Sequence, residues 1–275
     1  MQSPWTEDLA WQAQRCLELG SGLCICEGHY HTVWGALWIA GVNGTMKGET
    51  PRLAEMMAPF LRDGMRVMIG GAADPGVLCG IGRIFSPRIP AFTVIDKCKA
   101  PLALIGEFAA SREIACRTLT MDLLDLDGSE QWDQIVLHYT ADFMSAPVRS
   151  RLFRSLAASL APGGTLVCAT MTGASIPLDR QGEMAGAYYA RAVAALKDTP
   201  MAAQAQTPEF EHKLRGYSEC RTIRRLKLPT ADGICDLAED AGLRVLQKQN
   251  TERARRLLAG MDVVDTSSII IARRS

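Results

Sequence analysis

The chain has 275 residues, 48% of them hydrophobic, and its 30 basic and 30 acidic residues cancel to a formal net charge of zero. This composition supports a large core and excludes disorder, and the charge balance indicates neither nucleic acid nor a membrane surface as a partner. The first residues lack a secretion pattern, no apolar run reaches membrane-spanning length, and nine scattered cysteines favour reduced thiols in a cytoplasmic protein.

The first 60 residues hold four of the five tryptophans and two helical patterns, followed by a helix that begins at Pro51. These features predict that residues 1–60 form an N-terminal helical cap and not a separate domain. Trp34 and Trp38 lie four residues apart on one helix face. That spacing favours core packing over the lining of an acceptor pocket.

Short apolar runs then alternate with helical patterns up to residue 170. Asp74 is a candidate helix N-cap, with Pro75 at the first helical position. Strands separated by helices predict a parallel sheet that is covered on both faces. The five strands predicted in this part are 66–71, 91–95, 114–120, 134–138 and 165–170.

An interruption at about 173–228 follows the fifth strand, and we predict that it is an inserted lid. It contains a helical pattern at 182–197, a polar stretch of weak pattern at 198–217, and a basic run at 221–227 that is compatible with an edge strand. A helix and two further strands, 243–247 and 268–272, complete the chain. Residues 61–275 are therefore predicted to form one domain with a seven-stranded sheet.

The most informative segment is Arg66-Val-Met-Ile-Gly-Gly-Ala-Ala-Asp-Pro-Gly76, followed by a second strand that ends at Asp96. A strand, a turn of small residues, a helix and a strand with a terminal acid form the unit that binds nucleoside cofactors. Small residues let the backbone approach the ligand. A carboxylate at the tip of the second strand accepts hydrogen bonds from ribose hydroxyls, so a binding role is favoured over a solvated loop acid.

Three later segments carry a family resemblance: Trp132-Asp-Gln-Ile-Val-Leu, Leu160-Ala-Pro-Gly-Gly-Thr-Leu-Val and Ala238-Glu-Asp-Ala-Gly-Leu-Arg-Val. Together with the first loop, they resemble class I S-adenosylmethionine-dependent methyltransferases over roughly residues 60–275. The resemblance implies an α/β fold, a Rossmann-like three-layer sandwich with a mostly parallel seven-stranded sheet. It also implies an enzyme, a transferase whose cofactor is S-adenosyl-L-methionine.

The resemblance assigns cofactor contacts to the loops that follow the first four strands. Asp96 matches the family's ribose-binding acid, and Asp122 or a neighbouring acid lies where the adenine amine is bound. One departure concerns the first strand, which ends in Ile69 and Gly70 where the family has an acid. Asp74 either substitutes for that acid or only caps its helix, and the pattern favours the cap. The implied cofactor-binding residues are Gly70, Gly71, Ala72, Asp74, Asp96, Lys97, Asp122, Leu123, His138 and Tyr139.

Three residues are candidates for catalysis: His138, Tyr188 and Tyr189. His138 ends the fourth strand and is either a base for the incoming nucleophile or a packed histidine. The two tyrosines lie in the predicted lid, where an aromatic face near the sulfonium gains cation–π attraction. Adjacent helical residues point in different directions, so at least one of them is expected to serve packing.

The run Cys24-Ile-Cys26-Glu-Gly-His29-Tyr-His31 contains residue types that bind zinc. Its spacing matches none of the usual structural zinc patterns, and no second ligand cluster is evident in the sequence. Free buried cysteines are also common. We therefore predict no metal, with His29 or His31 facing the substrate as a minor alternative.

Three functions remain open at this stage. The favoured one is methyl transfer to a small-molecule acceptor, as in small-molecule biosynthesis. The second uses the same cofactor without methyl transfer, by aminopropyl transfer or by cyclisation to a small-ring amino acid, with release of methylthioadenosine. The third is a cofactor-binding partner protein without catalysis. The acceptor and the oligomeric state are not determined by the sequence, and a homodimer is compatible with it.

Overall fold

The computed structural model describes residues 3–43, 48–86, 88, 90–173, 177–224, 228, 230, 232–258 and 261–275. Its strands form one seven-stranded sheet in the order β3-β2-β1-β4-β5-β7-β6. Neighbours among β1 to β5 pair in parallel, whereas β7 is antiparallel to both β5 and β6. The predicted mostly parallel, Rossmann-like sheet is confirmed. The strands are β1 Arg66–Gly70, β2 Ala91–Asp96, β3 Cys116–Thr120, β4 Trp132–His138, β5 Leu160–Thr172, β6 Leu243–Leu258 and β7 Met261–Arg274.

Ten α-helices accompany the sheet within the described residues. They are α1 Leu9–Leu23, α2 Tyr30–Ile39, α3 Thr50–Met57, α4 Gly76–Phe85, α5 Lys99–Ser111, α6 Ala146–Ser159, α7 Gln181–Leu196, α8 Ala202–Ala205, α9 Pro208–Arg224 and α10 Gly233–Asp240. Helices cover both faces of the sheet, as the alternation of elements predicts.

Strand β1 shows why both faces are covered. Its residues Val67 and Ile69 lie in a core shared with α4 and α5, whereas Met68 points to the opposite core, which contains residues of α6 and α10. All three side chains are fully or almost fully buried. Burial of such a side chain contributes about 1.5–3 kcal/mol to the free energy of folding. The continuous apolar run of β1 therefore stabilises the packing on both faces of the sheet.

The second half of the chain departs from the sequence prediction in two places. Residues 208–217 of the polar stretch and residues 221–224 of the basic run lie in the long helix α9, so this part of the run is not an edge strand. Residues 225–227 of that run lie outside the described residues. The last two strands extend far beyond 243–247 and 268–272, because β6 and β7 pair with each other past the end of β5. The helix depends on partners that are distant in sequence, whereas the hairpin pairs two strands that follow each other in the chain.

The N-terminal helices and the predicted lid share a third hydrophobic core. It joins residues of α1 and α2, such as Leu37, to Leu196 of α7 and to Phe210, Leu214 and Tyr217 of α9. Helix α1 also packs on α5. The division into a cap at 1–60 and a lid at 173–228 remains a prediction, and residues 174–176 and 225–227 at the lid boundaries are not described. The common core nevertheless packs α1 and α2 against α7 and α9.

Two global expectations concern membranes and thiols. Among the described helices, none has the length and apolar character needed to cross a bilayer. All nine cysteines are free thiols in this structure. Three of them nevertheless lie close together in space, near the end of β2.

Candidate active site

The carboxyl ends of β1, β2 and β4 meet at one edge of the sheet. In the parallel register, Gly70 of β1 lies opposite Ile95 of β2 and Leu137 of β4. The Gly71 amide donates to the Ile95 carbonyl at 2.8 Å. Strand β1 lies between β2 and β4, so the chain winds outward in both directions from this point. In open α/β sheets, ligands bind at this reversal of strand order.

The loop after β1 approaches the loop after β4 closely. Gly71 has a φ of +69°, and a Cβ there would lie 2.4 Å from Thr140 Cγ2. The Thr140 hydroxyl donates to the Gly70 carbonyl at 2.9 Å. A Cβ on Gly70 would lie 2.7 Å from the Leu137 side chain and 3.1 Å from that of Leu123. The left-handed backbone therefore favours glycine at Gly71, and a side chain at Gly70 would displace those of Leu137 and Leu123. The predicted Leu123 thus lies at the same loop.

Substitution of Gly71 tests this close approach. We expect Gly71→Ala to lower the free energy of unfolding by about 1–2 kcal/mol from the left-handed backbone and by about 1–3 kcal/mol more from the overlap with Thr140. Chemical denaturation measures the loss. The matched control is Gly163→Ala, because Gly163 has a φ of +73° but open space around its Cβ. Equal losses in both variants would show that Thr140 moves aside without cost.

Asp74 is buried within the same loop and is engaged by two elements. Its carboxylate accepts from the Gly76 amide at 2.6 Å and from the Trp34 indole N–H. Burial raises the pKa of Asp74, and these two donors act in the opposite direction. Helix α4 begins at Gly76 with Pro75 as its N-cap, one residue later than predicted, yet Asp74 still binds the first helical amide. The carboxylate therefore fastens α2 to the start of α4.

A double-mutant cycle measures the Trp34–Asp74 hydrogen bond. We expect Trp34→Phe and Asp74→Ala, each of which removes the hydrogen bond, to show a coupling energy of about 1.5–3 kcal/mol in unfolding experiments, the usual range for a hydrogen bond to a charged group. Trp38→Phe is the control, because the Trp38 indole N–H is buried and has no hydrogen-bond partner among the described residues. A coupling that is equally large with Trp38→Phe would contradict the assignment.

Asp96 lies at the tip of β2, half-buried. One carboxylate oxygen accepts from the Cys98 amide at 2.7 Å. Burial raises the pKa of Asp96, and the nearby His31, the amides of Cys98 and Ala72 and the exposed Lys97 act in the opposite direction. The acid therefore stands next to the glycine loop, as predicted. The residues brought together at this edge are Gly70, Gly71, Ala72, Asp96 and Leu123.

Asp122 has a local structural contact. Its side chain accepts from the Leu124 amide at 3.0 Å and caps the short 3-10 turn Leu123–Asp125. The turn follows β3, and the Met121 amide donates to the Asp96 carbonyl at 3.1 Å, so Asp122 lies beside the end of β2. Its predicted adenine contact remains a prediction.

His138, at the end of β4, is paired with a buried acid that sequence reasoning missed. Its Nε2 atom lies 2.7 Å from Glu49 Oε2, and the Glu49 side chain is 2% exposed. The Tyr139 hydroxyl donates to the other Glu49 oxygen. The Ser267 hydroxyl donates to Glu49 at 3.2 Å, and Arg52 lies 3.6 Å from it. No sequence signal marks Glu49, because it is 89 positions from His138 and lies just before α3.

The pairing defines what the imidazole can do. A carboxylate only accepts, so it is satisfied when His138 Nε2 carries the hydrogen, and the lone pair then resides on Nδ1. A carboxylate that fixes the tautomer and orientation of a histidine is the arrangement found behind general bases. Tyr139 has a φ of +60° and packs its ring 4.4 Å from His138. The imidazole is therefore held from two sides.

The two lid tyrosines point in different directions. The Tyr188 hydroxyl donates to Asn43 Oδ1 at 2.7 Å, and its ring lies between two arginines. Tyr189 lies near the surface, where its hydroxyl donates to Glu211 at 3.1 Å and Arg215 stacks on its ring. Burial raises the pKa of Tyr188 far above its usual value. The Tyr188 hydroxyl therefore reaches the N-terminal segment, whereas the Tyr189 hydroxyl contacts α9.

A chain of aromatic rings leads from Tyr188 towards the glycine loop. Tyr188 lies 6.0 Å from Tyr217, which lies 5.4 Å from Tyr30, and Tyr30 stacks on Trp34 at 5.3 Å between ring centroids. Trp34 in turn contacts Asp74. Trp34 therefore does more than the core packing predicted for it. The rings come from α2, α7 and α9, so no local pattern could have grouped them.

The two cavities described lie away from this edge. One, of about 350 Å³, is lined by residues at the amino ends of the strands, including Arg66, Ala91 and Cys116. The other, of about 320 Å³, lies between α3 and α4. Neither contains a predicted site residue. Ligand binding in parallel sheets occurs at the carboxyl ends, so these cavities are not the candidate site.

The structure separates His29 from the other candidate zinc ligands of the run 24–31. His29 lies beside His212, with ring centroids 6.0 Å apart. Cys24, Cys26 and His31 lie together, and Cys98 joins them. Cys98 is the member of this cluster that the sequence does not reveal, because it follows β2 and is 67 positions beyond His31.

Comparison with known proteins places this geometry in context. No family model matches the sequence, and no curated protein matches it. Solved structures do match. One is a magnesium protoporphyrin IX methyltransferase from Synechocystis PCC 6803 with bound SAH, at 14% identity over 83% of each chain and a TM-score of 0.53. A putative methyltransferase from Bacillus halodurans C-125 matches at 13% identity over 82% of this chain and 99% of that chain, with a TM-score of 0.53.

A third structure differs in its chemistry. The [4+2]-cyclase SpnF matches at 15% identity over 85% of this chain and 84% of that chain, with a TM-score of 0.52. At such identities the likeness shows the fold. The chain therefore has the fold of class I S-adenosylmethionine-dependent methyltransferases, which is also the fold of this cyclase.

Proposed function

We propose that the protein is an S-adenosylmethionine-dependent methyltransferase that acts on a small-molecule acceptor. The observation that carries the proposal is the site at the reversal of strand order. There, a glycine loop, the Asp96 carboxylate and the His138–Glu49 pair lie at the ends of three adjacent strands. The methyltransferase fold of the structural neighbours supports the same cofactor.

The residues present fit a nucleoside cofactor. Asp96 supplies the acceptor for the ribose hydroxyls, and the tight loop at Gly71 lets the backbone approach the ligand. Asp122 and Leu123 lie beside the end of β2, where the adenine would be held. Bound there, the cofactor supplies an electrophilic methyl group on its sulfonium. Lys97 follows Asp96 and Tyr139 follows His138, and we include both among the proposed cofactor contacts.

His138 and the aromatic chain provide the remaining roles. We assign His138 as the base that removes a proton from the acceptor, oriented by Glu49 through its Nε2 atom. Tyr188 is the better placed of the two lid tyrosines to face the acceptor, since Tyr189 points to the surface. The shared core of the N-terminal helices with α7 and α9 supports a covered, small-molecule site. The balanced charge supports the same class of acceptor. A cytoplasmic location is proposed from the scattered free cysteines.

A second candidate function uses the cofactor without methyl transfer. It is favoured by the absence of an acid at the end of β1, where Ile69 and Gly70 stand. The nearby carboxylate of Asp74 is occupied by Trp34 and Gly76. If the methionine part of the cofactor is anchored differently, another carbon bonded to its sulfur, and not the methyl group, would face a nucleophile. The fold also accommodates a cyclase among the neighbours.

One experiment separates the two functions. The purified protein is incubated with S-adenosylmethionine, alone and with pools of small acceptors, and the nucleoside products are identified by mass spectrometry. S-adenosylhomocysteine that forms only with an acceptor supports methyl transfer. Methylthioadenosine that forms without an acceptor, faster than in a protein-free sample, supports the second function. If calorimetry detects no binding of S-adenosylmethionine or S-adenosylhomocysteine, both proposals fail.

A further inference from the structure

A cluster of three cysteines and one histidine lies between the N-terminal helices and the sheet. Cys24 ends α1, Cys26 precedes the 3-10 turn Glu27–His29, His31 lies in α2, and Cys98 precedes α5. One ligand atom from each of the four residues lies within 4.8 Å of every other. His31 and Cys98 are buried, and the other two are half-buried. Four elements therefore converge on one point.

The distances in the cluster match those around a tetrahedral metal ion. The Sγ atoms of Cys24 and Cys26 lie 3.7 and 3.5 Å from His31 Nδ1. With Zn–S near 2.3 Å and Zn–N near 2.0–2.1 Å, tetrahedral geometry gives a sulfur–nitrogen distance of about 3.6 Å. Simple hydrogen bonding explains the cluster less well. One imidazole nitrogen has a single hydrogen or a single lone pair, yet two sulfur atoms converge on it.

We propose that Cys24, Cys26, His31 and Cys98 bind one Zn²⁺ ion. Three thiolates and one imidazole are a ligand set of structural zinc sites, whereas hard cations prefer oxygen ligands. Four protein ligands leave no open position, so the ion is structural and does not take part in catalysis. On binding, the three thiols release their protons to solvent and their sulfur atoms donate to the metal. No oxidation or reduction is involved.

The site would fasten the N-terminal helices to the β2–α5 junction. Cys98 follows Asp96 by two residues, and its amide donates to the Asp96 carboxylate at 2.7 Å. Zinc bound to the Cys98 sulfur therefore fixes the donor that orients Asp96. Only this consequence for Asp96 rests on the proposed function, since the metal site itself depends on the four ligands alone.

Metal analysis of the intact protein tests the proposal. We expect the full chain, purified under reducing conditions and supplied with zinc, to hold one zinc ion per chain after dialysis. After replacement with cobalt, we expect the absorption bands of a tetrahedral thiolate site. Removal of zinc by a strong chelator is expected to lower the Tm, because a metal that binds only the folded state stabilises it. A wild-type protein without stoichiometric metal, or with cobalt spectra of oxygen ligands, would overturn the proposal.

Matched variants locate the ligands. We expect Cys98→Ser and His31→Gln to lose stoichiometric zinc, with circular dichroism as a check of folding. Cys116→Ser and His29→Gln are the controls, because Cys116 and His29 lie outside the cluster. Both control variants should retain the zinc ion. If Cys98→Ser does not fold, the cobalt spectrum of the wild-type protein still decides the ligand set. Zinc retained at full stoichiometry in both ligand variants would contradict the assignment.

Cofactor titration keeps the two proposals separate. Zinc-loaded and zinc-depleted proteins are titrated with S-adenosylhomocysteine. Weaker binding after depletion supports the link through Cys98 to Asp96. Stoichiometric zinc with no cofactor binding in either form leaves the metal site established and rejects the proposed function.

Discussion

Replacing Asp96 with alanine is expected to weaken the binding of S-adenosylmethionine by about two orders of magnitude or more. Each hydrogen bond to a charged group contributes about 1.5–3 kcal/mol, and the proposed role of Asp96 is to accept from both ribose hydroxyls. The carboxylate is half-buried at the tip of β2, so water cannot fully replace it. Isothermal titration calorimetry with S-adenosylhomocysteine measures the change.

Two further variants make this test specific. Asp133→Ala is the matched control, because Asp133 lies near the amino end of β4 and accepts from the Arg66 amide at 2.8 Å. It should leave cofactor affinity unchanged. Asp96→Asn retains an acceptor for the Cys98 amide but loses the charge, and it should also bind the cofactor weakly. Zinc content is measured in each Asp96 variant, because Cys98 is a proposed ligand. Unchanged affinity in Asp96→Ala would remove this residue from the site.

Loss of the His138 imidazole is expected to reduce turnover by about 10²–10⁴-fold, the usual contribution of a general base. His138→Gln retains a polar side chain of similar reach, so cofactor affinity should change much less than kcat. The rate of S-adenosylhomocysteine formation is measured with an acceptor found in the product screen. The expected pattern is therefore a fall in kcat with an almost unchanged cofactor Kd.

Glu49 variants show whether the pair acts as a unit. Glu49→Gln preserves size and hydrogen-bonding capacity but removes the charge that holds the imidazole. It should lower kcat less than His138→Gln does, and the double variant should be no slower than His138→Gln alone, because residues that act together are not additive. Equal activity of wild type and His138→Gln would exclude the base role. Losses that multiply in the double variant would show that Glu49 acts independently of His138.

The fold was accessible from the sequence because its main signals are local. The apolar runs of β1, β2 and β4, and the alternation of strands with helices, predict a parallel sheet without reference to distant residues. The prediction was weaker where structure depends on partners far along the chain. Helix α9 is the example, because it packs its apolar residues against the N-terminal helices. The length of the β6–β7 hairpin was missed for a different reason, since its outer part pairs past the end of β5. Neither leaves a strong local pattern.

The candidate site divides in the same way. The sequence by itself determined that Gly71 and Asp96 lie at the same edge of the sheet, because the carboxyl ends of parallel strands meet there whatever surrounds them. Only the tertiary structure joined Glu49 to His138, Trp34 to Asp74, and Cys98 to Cys24, Cys26 and His31. Each of these contacts joins side chains at least 40 residues apart. Such partners are selected by the packing of the N-terminal helices on the sheet, a long-range event that short-range spacing does not encode.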